Sequence, residues 1–118
     1  MTTTRFSTVC EPGAVVLVLF GFTDGQAAKK RPAVILTGEA YHRSRLDTIM
    51  VALTTNLADS YVGDCDLLEW QQAGLPRPTK SKGVIQTIER RMVDKRLGTV
   101  TPSDFQRLKD SIRSILEL

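Results

Sequence analysis

The chain has 118 residues, a formal net charge of +3, 42% hydrophobic residues and 25% charged residues. That length suits one domain and buries a core without a disulfide or metal staple, and the ordinary apolar content excludes wholesale disorder. The modest positive excess fits a nucleic-acid or acidic-peptide partner without requiring one.

The opening residues, MTTTRFSTVCEPG, lack the apolar run of a secretory signal. Residues 1–11 read as a loose arm before a single domain over 12–118. Gly13 to Phe20 is a β-branched apolar run behind Pro12 and reads as a buried strand. It is also the longest apolar stretch and far too short to span a membrane, so a cytoplasmic protein with no membrane contact is expected. Gly21 to Lys30 carries the turn dipeptide Asp24-Gly25 and reads as a mobile loop. Arg31 to Leu36 is the second strand; Pro32 cannot donate a ladder hydrogen bond, so it belongs at the strand's start or on an edge. Glu39 to Leu46 tolerates a helix. Thr48 to Thr54 is the third strand, and Asp64 to Glu69 alternates weakly as a fourth. Gly74, Pro76 and Pro78 mark Trp70 to Pro78 as a loop or one helical turn. Gly83 to Glu89 reads as a fifth strand buried on nearly both faces, and Lys95 to Val100 as a last short one. The clearest element is C-terminal. Thr101 is a good N-cap, Pro102 suits the first helical position, and Asp104 completes a capping-box-like pattern. Phe105, Leu108, Ile112, Ile115 and Leu116 then share one helical face. Short strands followed by one amphipathic helix predict a mainly β fold with helices, a small closed or half-closed barrel crossed by that helix.

Cys10 and Cys65 stand far apart outside any C-x-x-C pattern and read as free thiols. His42 is the one histidine, so the soft ligands of a zinc site are missing, and no metal or cofactor is expected. There is no Gly-rich phosphate loop, H-E-x-x-H or G-x-S-x-G. A Ser-His-Asp triad would need His42, whose neighbours Arg43 and Arg45 make it read as a solvated surface histidine. What remains is a set of cations and hydroxyls near strand ends: Lys29, Lys30 and Arg31; Thr54, Thr55 and Asn56; Lys80 and Lys82; Arg90 and Arg91; Lys95 and Arg96. Antiparallel strands bring such ends together, and an arginine fork with threonine hydroxyls suits a phosphate. Each basic cluster equally reads as a solubilising loop, the commoner role. The residues alone reach a candidate polyanion-binding barrel.

The same residues carry a resemblance. The strand Gly13-Ala-Val-Val-Leu-Val, the Asp24-Gly25 turn and then Lys30-Arg31-Pro32-Ala33-Val34-Ile35-Leu36 resemble the opening of MazF/PemK-type toxins of type II toxin–antitoxin systems. Ile49 to Asn56, the Arg90 to Gly98 segment, and Thr99-Val100-Thr101-Pro102 before an apolar helix are similar to later parts of that family. The resemblance implies an SH3-like barrel acting as a homodimer. It implies metal-independent, sequence-specific cleavage of single-stranded RNA by 2′-OH attack, and a cognate antitoxin whose flexible tail covers the RNA groove. Carried over by position, it makes Arg31 the stabiliser of the pentacovalent intermediate and Thr54 the holder of the scissile phosphate. Lys29, Lys30, Thr55, Asn56, Lys80, Lys82, Gln86 and Arg91 are the implied RNA contacts. Trp70 and Leu75 read as loop packing rather than an antitoxin hot spot. Base preference would depend on the loops at Gly21–Lys30 and Ala58–Gly63.

Three departures matter. Ala14 stands where many members carry an acid. Gln26 and Ala27 occupy a loop position where a carboxylate is common. Gln86 and Ile88 replace the catalytic Arg and Asp that some members carry on the fifth strand. The general base is therefore unassigned. A non-catalytic toxin that grips a protein target such as gyrase, as CcdB-type toxins do on a similar barrel, is the second reading. A nucleic-acid-binding barrel without catalysis is the third.

Overall fold

The computed structural model describes residues 9–20 and 29–118. The expected first loop with its Asp24-Gly25 turn, the positions of Gln26 and Ala27, and most of the expected arm lie outside the described residues.

The elements are β1 (Ala14–Phe20), β2 (Lys29–Ile35), α1 (Glu39–Ser44), β3 (Asp47–Thr54), β4 (Cys65–Asp66), β5 (Lys80–Glu89), a 3-10 turn (Arg90–Met92), β6 (Val93–Thr99) and α2 (Pro102–Leu116). The strands form one antiparallel sheet in the order β4-β5-β3-β2-β1-β6. A three-residue turn joins β5 to β6, which lie toward opposite sides of that order. So short a link requires the sheet to curl, which gives the half-closed barrel expected from the strand pattern.

The central strands are apolar on both faces because their sequences are continuous β-branched runs. Val15 pairs with Val34 and Val34 with Val51, on one face. These residues join Leu53, Leu67, Ala73, Leu75, Val100 and Leu108 in an outer core beneath α2. Val16 pairs with Ala33 and Ile35 with Met50, on the other face. They form an inner core with Cys10, Ala14 and Val18, against which Ile88, Met92 and Val93 pack. Cys10 is only 1% exposed and belongs to this core, while Glu11 and Pro12 after it are exposed. Trp70 and Leu75 serve the outer core, as loop packing predicts.

Helix α2 starts as expected, with Thr101 Oγ1 accepting the N–H of Asp104 at 3.3 Å and Pro102 in the first turn. Asp104, however, does not close a capping box. Its buried carboxylate accepts the N–H groups of Leu68 (3.2 Å) and Glu69 (2.8 Å) and an Arg107 N–H (3.2 Å). This explains why the fourth strand is two residues long: past Asp66 the chain leaves the ladder to reach the helix. The segment is then locked from behind, because a Cβ on Gly74 or Gly98 would collide with the carbonyl of Leu97 or Ala73. Gly74 also has φ +85°, a conformation glycine adopts readily. The short β4 corrects a second expectation. It pairs only with Lys80 and Ser81, so β5 beyond them is a sheet edge, and Val84, Gln86 and Thr87 are exposed rather than buried on both faces.

Both cysteines are free thiols in different surroundings, Cys10 in the inner core and Cys65 opposite Ser81, and burial pushes both thiol pKa values up. Among the described residues no helix is long and apolar enough to cross a membrane.

Replacing Asp104 by Ala takes the acceptor from two part-buried N–H groups and from Arg107, whereas replacing Thr101 by Ala removes one cap bond. Urea unfolding should show a loss of about 3 kcal/mol for Asp104→Ala against about 1 kcal/mol for Thr101→Ala. Equal losses would mean that the carboxylate is only a capping group.

Candidate functional site

The β2–β3 ladder ends at Ala33 opposite Ala52. Pro32, next in line, has no N–H to give to β3, which accounts for the stop. Carrying the same register two residues further on each strand sets Arg31 against Thr54. Arg31 pairs with Val18 on its other side, so the two-residue period aims it to the inner face, as it does Thr54. Both therefore stand at one mouth of the barrel, where the strands part. Arg31 is exposed, and its side chain forms no ion pair or hydrogen bond with any described residue. Thr54 Oγ1 accepts the Asn56 N–H at 3.1 Å, which orients the hydroxyl and leaves its hydrogen free to donate.

Beside Thr54 lies a groove of about 160 Å³ lined by Thr54, Asn56, Asp59, Tyr61, Asp64, Lys80 and Lys82. Thr54 is paired with Lys80 across β3 and β5. A register shift between Val51 and Leu53 bends β5 just there, a common device for re-aiming side chains at a site. One wall is the segment 55–64. Asn56 turns it, its Oδ1 accepting the Ala58 N–H at 3.1 Å and its Nδ2 donating to Asp59 Oδ2 at 3.2 Å. Its far end is Gly63, at φ +99°, where a Cβ would come within 3.1 Å of both Gly83 Cα and Ile115 Cγ2. Ser111 of α2 donates to the Gly63 carbonyl at 3.0 Å.

Lys80 lines the groove but is not the available RNA-contacting cation the resemblance implies. Its side chain is 6% exposed, its Nζ lies 2.8 Å from Asp64 Oδ2, and it also donates to the Asp59 carbonyl. Its charge is compensated and its role is to hold the 55–64 segment. The Lys80 hydrogen bond keeps the Asp64 carboxyl below its ordinary range against the opposing effect of burial, with help from the Tyr61 N–H and the charges of Lys80 and Lys82.

The remaining predicted residues spread out. Thr55 and Asn56 are exposed at the mouth. Lys29 is exposed one step beyond Arg31 on the same face, while Lys30 points the other way and pairs with Asp94 at 3.1 Å. Gln86 is exposed opposite Met50, further along the inner face. Arg91 is not part of this cluster. It follows the far end of β5, roughly 30 Å from Lys80 at the usual strand rise, beside a separate hollow formed with Leu46, Glu89 and Arg90, and it pairs with Glu89 at 2.7 Å. His42 is neither catalytic in position nor solvated. Its Nε2 lies 2.8 Å from Thr37 Oγ1 and 2.9 Å from the buried Thr48 Oγ1, near the opposite end of β3 from Thr54. Burial and the neighbouring Arg90 charge lower its pKa, opposed by Asp47. Asp59, Tyr61 and Asp64 are the site residues that sequence reasoning missed. Nothing local marks them; only the turn-rich stretch around them was visible. Among the described residues no three His, Cys, Asp or Glu side chains gather as metal ligands do.

The family model of PemK-like, MazF-like toxins of type II toxin–antitoxin systems matches residues 11–116. Among solved structures the chain is similar to a mycobacterial endoribonuclease in complex with its cognate antitoxin (TM-score 0.73, 20% identity, covering 92% of this chain and 95% of that one). It is similar to the Mycobacterium tuberculosis toxin MazF-mt6 (TM-score 0.71, 20% identity, 89% and 97%). It is also similar to a MazE-MazF structure from Deinococcus radiodurans (TM-score 0.75, 17% identity, 92% and 96%). Likenesses at these identities establish a common fold. No curated protein sequence matches the chain.

The Lys80–Asp64 pair makes a pH-dependent contribution. Because the folded Asp64 pKa lies below its ordinary 3.8, that contribution is complete above 3.8 and is lost as pH falls through the lowered folded value. Asp64→Asn should destabilise the chain by about 2 kcal/mol at pH 7, less than a wholly dry pair because the groove is open. The difference from wild type should shrink toward pH 3. A difference that stays constant down to pH 2, measured by urea unfolding, would remove the ion pair from the account.

Proposed function

The chain belongs to the PemK-like, MazF-like toxins of type II toxin–antitoxin systems, and from that membership we propose that it is an endoribonuclease cutting single-stranded RNA at specific short sequences without a metal. The observation that supports this reading is that the strand register carries Arg31 and Thr54 to the same end of neighbouring strands. Arg31 is exposed there and its side chain pairs with no described residue, and the Thr54 hydroxyl is oriented by the Asn56 N–H.

The reaction these groups suit is an internal transfer. The 2′-oxygen bonds to the adjacent phosphorus as its proton leaves. The bond from phosphorus to the 5′-oxygen breaks, and that oxygen takes up a proton. The products are a 2′,3′-cyclic phosphate and a 5′-OH, and no water is consumed. Negative charge grows on the equatorial phosphate oxygens in the transition state. Arg31 stabilises that charge with a planar pair of N–H donors, and the Thr54 hydroxyl donates to a neighbouring oxygen. Lys29, exposed on the same face of β2, adds attraction for the flanking backbone. The base that takes the 2′ proton is not assigned.

Two further elements follow from the family. The chain works as a homodimer, and a cognate antitoxin neutralises it by covering the RNA groove. Two of the similar structures are toxin–antitoxin complexes, which supports that partner. Its place of action is the cytoplasm, where messenger RNA is found.

The decisive experiment is incubation of the purified chain with long RNA in excess EDTA, followed by mapping of the cut ends. Cleavage should persist and leave cyclic phosphates. Arg31→Ala and Thr54→Ala should each lower kcat/KM by roughly 10² or more with the fold intact. Intact RNA would favour the gyrase-type reading, in which the chain grips a protein target without chemistry. Full activity in Arg31→Ala would remove Arg31 from the centre.

A further inference from the structure

We infer that Tyr61 is a specificity-determining residue, the platform on which one base of the RNA stacks beside the scissile phosphate, held in place through Asp64 by the buried Lys80. The inference deepens the ribonuclease reading and rests on it for the identity of the ligand.

Tyr61 is 70% exposed, yet it lines the same groove as Thr54. An exposed aromatic on a loose loop has little value as a docking surface, because ordering it costs conformational entropy. Tyr61 is not on a loose loop. Its N–H donates to Asp64 Oδ2 at 3.0 Å, and its carbonyl accepts the Asp64 N–H at 3.1 Å. That same carboxylate oxygen is 2.8 Å from Lys80 Nζ, on the strand that pairs with Thr54. The path from the hydroxyl at the barrel mouth to the tyrosine backbone is thus strand pairing, one buried ion pair and two reciprocal hydrogen bonds. The backbone that carries the ring is ordered before any ligand arrives.

The charges of the groove indicate what the ring receives. Asp59 and Asp64 balance Lys80 and Lys82, so the lining carries no net charge. Such a groove does not select a phosphate or an acidic peptide. It suits a flat, neutral, polar group, and a nucleobase is one. Asp59 and Asn56 line the groove and bond each other once, which leaves further acceptor capacity on the carboxylate and a second amide hydrogen for the edge of such a group. The phosphate is left to Arg31, whose charge is not compensated. The groove therefore divides its labour as nucleic-acid sites commonly do, with cations for the backbone and an aromatic for the base.

The test uses the full chain and a pool of random-sequence 2′-O-methyl oligonucleotides, which lack the attacking hydroxyl and cannot be cut. Anisotropy should show Tyr61→Ala binding about tenfold more weakly or worse, with Tyr61→Phe within about twofold of wild type. The dependence of binding on salt should be unchanged in Tyr61→Ala, because no phosphate contact is lost, and should flatten in Arg31→Ala. On cleavable RNA, Tyr61→Ala should raise KM by a similar factor, leave kcat near wild type and relax base preference at one position next to the cut. Asp64→Asn should weaken binding in the wild-type chain but add nothing in Tyr61→Ala. If Tyr61→Ala binds like wild type, or flattens the salt dependence, or weakens only the binding of an antitoxin, the inference is overturned. A wild-type chain that binds oligonucleotide through Tyr61 yet cuts no RNA would overturn the ribonuclease reading and leave this one standing. A wild-type chain that binds no oligonucleotide would overturn both.

Discussion

A sheet whose central strands are apolar on both faces has to be covered twice, and the arrangement of this molecule follows from how that is done. The outer face is covered by α2 and by the chain from Leu67 to Leu75. These two covers are welded by one carboxylate, Asp104, which takes N–H groups from a segment more than thirty residues earlier. The inner face is covered by curling the sheet on itself, with the short turn after β5 bringing β6 round. Apolar side chains fill that interior along most of β1, β2 and β3. Where the filling ends, at Val18, Arg31 and Thr54, the barrel has a polar mouth.

The mouth carries two kinds of positive charge, which differ in their partners. Arg31 is exposed at a point where Pro32 has interrupted the ladder. Its guanidinium is available to a ligand. Lys80 faces the same region but is withdrawn from it, its ammonium neutralised by Asp64. Burying a lysine beside a single carboxylate brings little net stability, since desolvation offsets most of the attraction. What the pair supplies is geometry: it fixes the wall of the groove relative to the strand that carries Thr54. One cation is suited to bind, and the other to make the place of binding rigid.

The parts legible in the sequence are those governed by short-range pattern. The strands around Val15, Val34 and Val51, the Thr101 cap and the apolar face of α2 were visible from periodicity and capping chemistry. Arg31 and Thr54 were visible through an ordered family pattern, and Pro32 marked a strand irregularity that proved to end a ladder. What stayed hidden depends on partners distant in the chain. Asp104 looked like a capping residue because its true partners, Leu68 and Glu69, lie outside any local window. Lys80 looked like a free cation because Asp64 is sixteen residues away. His42 sits among arginines in sequence but against Thr37 and Thr48 in space. Tyr61 has no local signature at all; its meaning comes from the groove it borders.

The two cysteines have a consequence for how the molecule meets oxidants. Both are buried, and burial raises their thiol pKa values. The thiolate is the form that peroxides, disulfides and alkylating reagents attack, and here little of it exists at neutral pH. Both thiols are placed where thiolate chemistry is slow. Its folded state therefore reacts slowly to swings in thiol–disulfide balance, because neither cysteine offers an accessible thiolate.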